Sequence, residues 1–85
     1  MNPIVYVADG CPHCARLLED LARRRVRVTV VNLSTEAFRV AEVAAVTRER
    51  RLPVLVDHER CSIGFAGASS SFAELGVHWT DRRER

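Results

Sequence analysis

Four residues near the start of the chain, Cys11-Pro12-His13-Cys14, combine reactive side chains with a spacing that lets them act together. Two thiols separated by two residues can exchange electrons as a dithiol and a disulfide, supply half of a metal site, or close a short structural loop. Their placement favours the first. An apolar run, Ile4 to Ala8, leads up to the pair, Asp9-Gly10 breaks it, and from Pro12 the pattern turns helical. The pair is therefore predicted where a buried strand hands over to a helix. Unpaired N–H groups and the positive end of the helix dipole gather there, and both stabilise a thiolate. Pro12 forfeits nothing at a first helical position, because the N–H it lacks has no partner there anyway.

Cys11, at the N-cap, is predicted to be the exposed nucleophile with a depressed thiol pKa. Cys14, one turn on and more buried, is positioned to attack a mixed disulfide formed on Cys11. His13 lies between them and can stabilise the Cys11 thiolate by its charge or by a hydrogen bond. Stabilising the thiolate favours the reduced form and makes the disulfide a stronger oxidant.

A metal site is the competing reading from a different class. Cys11, His13 and Cys14 with Cys61 or His58 nominally make four zinc ligands, but structural zinc sites usually present two separated ligand pairs and only one is present here. No metal is expected. A binding module with a vestigial pair is a third reading, disfavoured because both thiols and the proline are present. Cys61, at the start of a predicted strand, is expected to be a buried packing thiol. His58 and His78 are expected at the surface, and Trp79 is expected to pack the end of the chain against the body.

The elements that must position the pair follow from periodicity. Residues 3–8 read as a central strand covered on both faces. Leu17, Leu18, Leu21 and Ala22 share one face of the first helix, Glu19–Arg23 and Asp20–Arg24 are acid-first i,i+4 pairs, and Arg23-Arg24-Arg25 complements the last turn. Residues 26–33 begin by alternating, as a half-buried edge strand does. Ser34 or Thr35 is predicted to cap a second helix through about Arg50, with Ala37, Val40, Ala41, Ala44 and Ala45 as its apolar positions. After Pro53, Val54-Leu55-Val56 reads as a core strand, Asp57 to Arg60 as a turn, and Cys61 to Ile63 as a strand ended by Gly64. Ala68 to Ser71 is predicted to open a last short helix through Leu75. The order βαβαββα implies an α/β domain over residues 1–80, with a four-stranded mixed sheet in three layers. Its first two strands are parallel around a crossover helix and its last two form an antiparallel hairpin. Residues 81–85 form a charged tail expected to be mobile.

Bulk composition narrows the partners. At 85 residues the chain buries only roughly 60% of its unfolded surface, so its core must be economical. The net charge of +2, from 13 basic residues (all arginine) and 11 acidic ones, is too balanced to imply nucleic acid. The Arg23-to-Arg27 cluster reads more simply as a solvated helix end than as a docking patch for an acidic partner. No stretch approaches the ~20 apolar residues of a membrane span. Met1-Asn2-Pro3 lacks the positive region of a signal peptide, so the expected location is the cytoplasm, where thiols stay reduced. There a Cys-x-x-Cys pair beside a βαβ pattern reads as a redox motif.

On these residues the chain resembles the glutaredoxin branch of the thioredoxin superfamily over nearly its whole length. The matching pieces are the first strand leading to Cys11-Pro12-His13-Cys14, then Leu52-Pro53-Val54-Leu55-Val56-Asp57, then Ile63-Gly64-Phe65. The resemblance implies a thioredoxin-like fold, a cis proline at Pro53 facing the disulfide, and a substrate strand pairing with the backbone of Leu52. Tyr6, Gly64 and Phe65 are the other candidate substrate-binding residues, Tyr6 and Phe65 as apolar rims of the groove. It also implies protein disulfides as substrates, no cofactor beyond the Cys11–Cys14 pair, and a monomer.

The departures from that family point at the recharging partner. Glutathione-binding members carry a Lys shortly before the motif, where this chain has Ala8-Asp9-Gly10. They also carry a Gly-Gly segment followed by an Asp that grips the γ-glutamyl end, where this chain runs Gly64 to Ser71 with no acid until Glu74. The Gly64-Phe65 pair instead resembles the electron donors of ribonucleotide reductase that thioredoxin reductase recharges. Some glutaredoxins bridge an iron–sulfur cluster through the first cysteine and glutathione. Pro12 and the missing glutathione contacts weigh against that here.

Overall fold

The computed structural model describes residues 2–58 and 60–80. Strand β1 (Ile4–Val7) is the centre of a four-stranded sheet ordered β2-β1-β4-β5. It pairs in parallel with β2 (Thr29–Asn32), with Ile4 opposite Thr29 and Val7 opposite Asn32. On its other edge it pairs antiparallel with β4 (Val54–Asp57), which forms a hairpin with β5 (Arg60–Ile63). A central strand must be apolar on both faces, and Val5, Tyr6 and Val7 are all buried. The parallel pair requires a crossover, and helix α1 (Pro12–Arg23) supplies it.

Helix α1 buries Cys14, Leu17 and Leu21, spaced three and four residues apart on one face. Asp20, flanking that face, holds both Arg23 (3.4 Å) and Arg24 (2.9 Å). The helix stops at Arg23, before the full arginine run. Arg25 takes the left-handed conformation (φ 58°), Val26 N–H donates to the Leu21 carbonyl at 2.9 Å, and Arg25 N–H donates to that of Ala22 at 3.0 Å. This is a Schellman closure with an arginine where glycine is usual.

Two predicted helices come out differently. The second is not continuous to Arg50. Asn32 captures the chain first: its carbonyl accepts from Thr35 and Glu36, and its side-chain oxygen accepts from Ser34 N–H. Only a 3-10 turn (Ala37–Arg39) and a short α2 (Val40–Ala44) follow, burying Val40, Val43 and Ala44. The β-branched Val46 and Thr47 then come in sequence, and residues of that kind propagate helices poorly.

The last helix is a single turn. Ser71 and Glu74 form a capping box, Ser71 N–H to Glu74 Oε1 at 2.9 Å and Glu74 N–H to Ser71 Oγ at 3.1 Å, but Gly76 (φ 68°) ends the turn at once. Just before it, Ser70–Ser71 form strand β6, which pairs antiparallel with β3 (Arg51–Leu52) in a second, two-stranded sheet that the sequence pattern did not suggest. Strand β2 begins at Thr29 rather than at residue 26. Trp79 packs on Phe72 with ring centroids 5.5 Å apart and carries the Arg50 guanidinium 5.0 Å above its ring, as its expected packing role requires. The tail at 81–85 lies outside the described residues.

Candidate active site

The site is built where β1 hands over to α1. Cys11 is the N-cap, with extended backbone (φ −93°, ψ 103°), and Pro12 is the first helical residue, exposed. Cys14 N–H donates to Cys11 Sγ at 3.1 Å, so the sulfur takes the place that a serine or aspartate oxygen takes at an ordinary N-cap. Cys11 and Cys14 are joined in a disulfide, their Cα atoms 5.2 Å apart. The expected contrast in exposure is small. Cys11 is 5% exposed and Cys14 3%, so the nucleophile is covered as closely as its partner.

On one side the motif is tied to the end of β2. Asp9 N–H donates to Ser34 Oγ at 2.9 Å, Asn32 Nδ2 donates to Asp9 Oδ1 at 2.9 Å, and Ser34 N–H donates to Asn32 Oδ1 at 2.9 Å. These bonds fix the turn that aims Cys11. Between this network and α1 lies an open groove of about 630 Å³, floored by Val7, Ala8, Cys11 and Leu18.

On the other side, Cys11 Sγ lies 4.0 Å from the carbonyl oxygen of Leu52, and the Leu52–Pro53 peptide bond is cis. Gly64 N–H donates to the Pro53 carbonyl at 2.8 Å. Gly64 is required there: at φ 89°, a Cβ would sit 2.8 Å from the Ala68 carbonyl oxygen. Phe65 and Ala68 exchange both backbone hydrogen bonds (2.8 and 2.9 Å) around Ala66-Gly67, and both turn residues have positive φ. That tight turn sends the chain back as β6 beside β3. Arg51 clasps the returning strand, Nε to Ser69 Oγ at 2.6 Å and Nη2 to the Ser69 carbonyl at 2.9 Å. Thus Leu52, Pro53, Gly64 and Phe65 gather on the side of Cys11 that the sequence assigned to substrate, with Phe65 half-buried. The backbone of Leu52, expected to be open for a substrate strand, pairs with Ser70.

Tyr6 is not a groove rim. It is 4% exposed, and its hydroxyl donates to Glu42 Oε1 at 2.7 Å. Burial and that hydrogen bond raise its phenol pKa well above the ordinary value, while bidentate Arg39 (2.8 and 3.1 Å) holds the Glu42 carboxyl below its own. Alternation along β1 turns Tyr6 towards α2, the face opposite to Val5 and Val7.

His13 is half-buried and makes no hydrogen bond with either sulfur among the described residues. The backbone N–H and hydroxyl of Ser71 are the main causes lowering the Glu74 carboxyl pKa, with smaller contributions from Arg51 and His13. Cys61 is exposed, contrary to the packing role expected for it, because β5 is an edge strand whose first three residues all face solvent. Partial burial of its sulfur and the nearby Glu49 carboxylate push its thiol pKa up. Among the described residues, no three or more His, Cys, Asp or Glu side chains converge as metal ligands.

Sequence reasoning missed Asp9, Asn32, Ser34, Arg51 and Ser70. An Asn at the end of a strand, opposite an Asp that precedes the motif, was the one available signal for the first three. Ser69 to Ser71 carry no apolar pattern from which a strand could be read.

Three comparisons bear on what this arrangement is. The glutaredoxin family model matches residues 4–60, from the first strand through the Cys-x-x-Cys pair and cis proline to β5. Among solved structures the chain is similar to the crystal structure of a glutaredoxin from Archaeoglobus fulgidus, at TM-score 0.68 and 29% identity over 75% of each chain. A search of curated proteins finds no match. The chain belongs to the glutaredoxin family, and with Cys11 and Cys14 in place it is a thiol–disulfide oxidoreductase.

Proposed function

We propose that this protein is a dithiol electron donor to protein disulfides, that of ribonucleotide reductase among them, and that thioredoxin reductase rather than glutathione recharges it. It acts as a monomer in the cytoplasm and needs no cofactor beyond its own cysteine pair. In the forward reaction the Cys11 thiolate attacks one sulfur of the substrate disulfide. A Cys11–substrate bond forms, the substrate S–S bond breaks, and one substrate thiolate leaves. Cys14 then gives up its proton and attacks Cys11 Sγ, releasing the second substrate thiol and leaving Cys11–Cys14 oxidised. Two electrons and two protons from the reductase restore the dithiol. Helix-start N–H groups, of which Cys14 N–H already reaches Cys11 Sγ at 3.1 Å, stabilise the thiolate in which the cycle begins.

The observation that carries the choice of partner concerns Glu74, the first acid after Gly64. Its Oε1 is engaged by both the N–H and the hydroxyl of Ser71, each at 2.9 Å. The one carboxylate in the segment from Gly64 to Glu74 thus has an oxygen committed to its own turn, which disfavours it as the grip for the amino end of a γ-glutamyl group. Turnover of the oxidised protein with NADPH and thioredoxin reductase, against turnover with glutathione and glutathione reductase, tests the reading. The first is expected to be faster by at least about tenfold. A preference for glutathione would overturn the assignment of partner while leaving the exchange chemistry intact.

A further inference from the structure

Cys11 must meet a second disulfide to work, yet the chain covers it. The nearest backbone on the cis-proline side is Leu52, whose carbonyl oxygen is 4.0 Å from the sulfur. In an antiparallel ladder, hydrogen-bonded and non-bonded pairs alternate. Phe72 N–H donates to the Arg50 carbonyl at 2.9 Å, so with Arg51 opposite Ser71 the next bonded pair is Leu52 with Ser70. Leu52 therefore directs its N–H and its carbonyl at Ser70, and Pro53 beyond it has no N–H to offer.

A client joined to Cys11 through a disulfide has its own cysteine Cα about 4.4–6.8 Å from that of Cys11. Its peptide groups are brought towards Leu52, whose N–H and carbonyl face the edge that Ser70 holds. Serine has the shape of cysteine with oxygen in place of sulfur, so it can fill a cysteine's position without being able to form a disulfide. Ser70 is 7% exposed, the one buried polar residue among those described.

Accepting the exchange reading above, we propose that Ser69–Ser71 is a built-in pseudosubstrate strand. In the resting protein it occupies the edge of Leu52 with Ser70 at the position of a client cysteine, and an extended peptide carrying a disulfide displaces it. The strand is suited to leaving. It pairs over only two residues, its Arg51–Ser69 clasp is exposed, and the turn before it rests on Ala66 and Gly67, which add little packing. Ordering the strand on Leu52 taxes client binding by the fraction of molecules in which it is closed, and weakening the clasp lifts part of that tax. The inferred specificity is for clients that bring their own extended backbone to Leu52. Small disulfides need only the sulfur.

Two measurements test this. First, Ser70→Cys in a Cys14→Ser, Cys61→Ser background leaves one partner thiol for Cys11. Oxidised dithiothreitol, accepting two electrons and two protons, is expected to close an intramolecular disulfide between Cys11 and position 70, seen by mass spectrometry and peptide mapping of the monomer. Free thiols or intermolecular dimers in their place would overturn the assignment. Second, Arg51→Ala is expected to lower KM for a disulfide-bonded extended peptide roughly three- to tenfold, the range for losing one or two hydrogen bonds. The rate with 5,5′-dithiobis(2-nitrobenzoate), which brings no backbone, is expected to stay within about twofold, since that reagent has no ladder partner to gain. An unchanged or raised peptide KM beside normal reaction with the small reagent sinks the pseudosubstrate strand alone. Both forms, with and without Arg51→Ala, carry Cys61→Ser so that the exposed thiol does not contribute, and a Cys61→Ser protein inert towards the small reagent sinks the exchange reading itself.

Discussion

Asp9 Oδ1 accepts a 2.9 Å hydrogen bond from Asn32 Nδ2, joining the residue two before Cys11 to the last residue of β2. Asn32 is also held by Ser34 N–H at 2.9 Å, and Ser34 Oγ accepts in turn from Asp9 N–H at 2.9 Å, so one amide side chain closes a ring of three contacts behind the reactive loop. Replacing it leaves Asp9 and Ser34 N–H to water, which reaches this partly exposed site. Asn32→Ala is expected to cost about 1–2 kcal/mol, from two exposed hydrogen bonds at about 0.5–1 kcal/mol each, the lower part of the usual range. For a domain of this size that is a fall in Tm of roughly 4–15 °C, measurable by circular dichroism. A variant melting with the wild type would show the ring to be incidental.

Cys11 and Cys61 of the reduced protein should differ in reactivity in the opposite sense to their exposure. Cys11 is buried but sits at a helix N-cap with an N–H on its sulfur; Cys61 is exposed but has its thiol pKa raised by burial of the sulfur and by Glu49. The thiolate is the nucleophile, so iodoacetamide near neutral pH is expected to label Cys11 at least about tenfold faster than Cys61. Mass spectrometry of a timed reaction reads both sites at once. Faster labelling of Cys61 would mean that helix-end stabilisation is too weak to matter.

Arg25 carries a backbone penalty that glycine would not. It closes α1 at φ 58°, a conformation that costs an L-residue about 1–2 kcal/mol, part of which glycine returns as extra entropy of the unfolded chain. Arg25→Gly is expected to stabilise the protein by roughly 0.5–1 kcal/mol, since the Schellman bonds of Val26 and Arg25 N–H are backbone contacts that survive the change. Urea unfolding at constant m-value checks it, and a lower midpoint would contradict it.

Stability should fall at both ends of the pH range for reasons traceable to one cluster. Arg39, then Tyr6, stabilise the charged form of Glu42, so its folded pKa lies below its unfolded one. That contribution is present above the ordinary carboxyl value of 4.5 and is lost as pH falls through the folded value. Tyr6 has the reverse sign. Its folded pKa is raised, by burial first and Glu42 second, so its contribution is present below the ordinary phenol value of 10.0 and declines as pH rises beyond it. Glu42→Gln is expected to flatten the acid limb of a Tm-against-pH curve and to lower the plateau. An acid limb as steep as the wild type's would exclude Glu42 as its source.

Much of the reactive centre was legible because its signals are local. Cys11 at an N-cap, Pro12 as first helical residue and Cys14, Leu17 and Leu21 on one face are set by 3.6-residue periodicity and cap chemistry alone. Pro53 at the head of β4 follows from its missing N–H. What was not legible depends on residues distant in sequence competing for the same groups. Asn32 took the donors that Ser34 or Thr35 would have capped, which cut α2 short. Arg51 clasps Ser69, and Ser70–Ser71 pair as a strand, so the helical start is pushed to the end of the serine run at Ser71. Cys61 looked like a core residue until β5 proved to be the edge of the sheet. Each of these outcomes is decided by a partner that no single-residue preference names.

Gly64 and Gly67 lie three residues apart with similar backbone, and they separate strain from close approach. Both have positive φ, 89° and 79°, so an alanine at either position pays for the left-handed region, about 1–2 kcal/mol. At Gly67 a Cβ meets nothing within 4 Å, and that backbone cost is the whole penalty. At Gly64 it would meet the Ala68 carbonyl oxygen at 2.8 Å, which is backbone and already accepts from Phe65 N–H at 2.8 Å. Relieving that contact means opening the Phe65–Ala68 turn and shifting the start of β6. Gly64→Ala is therefore expected to cost at least about 1 kcal/mol more than Gly67→Ala in chemical unfolding, the scale of one broken backbone hydrogen bond. Hydrogen exchange should report where the extra cost falls. Gly64→Ala is expected to speed exchange of the Phe65, Ala68 and Ser70 amides relative to Gly67→Ala, while the α1 amides, which share no bond with this turn, keep their protection. Equal costs for the two substitutions would mean that the turn yields freely, and that the approach of Gly64 to Ala68 does not fix the path of the chain across Leu52.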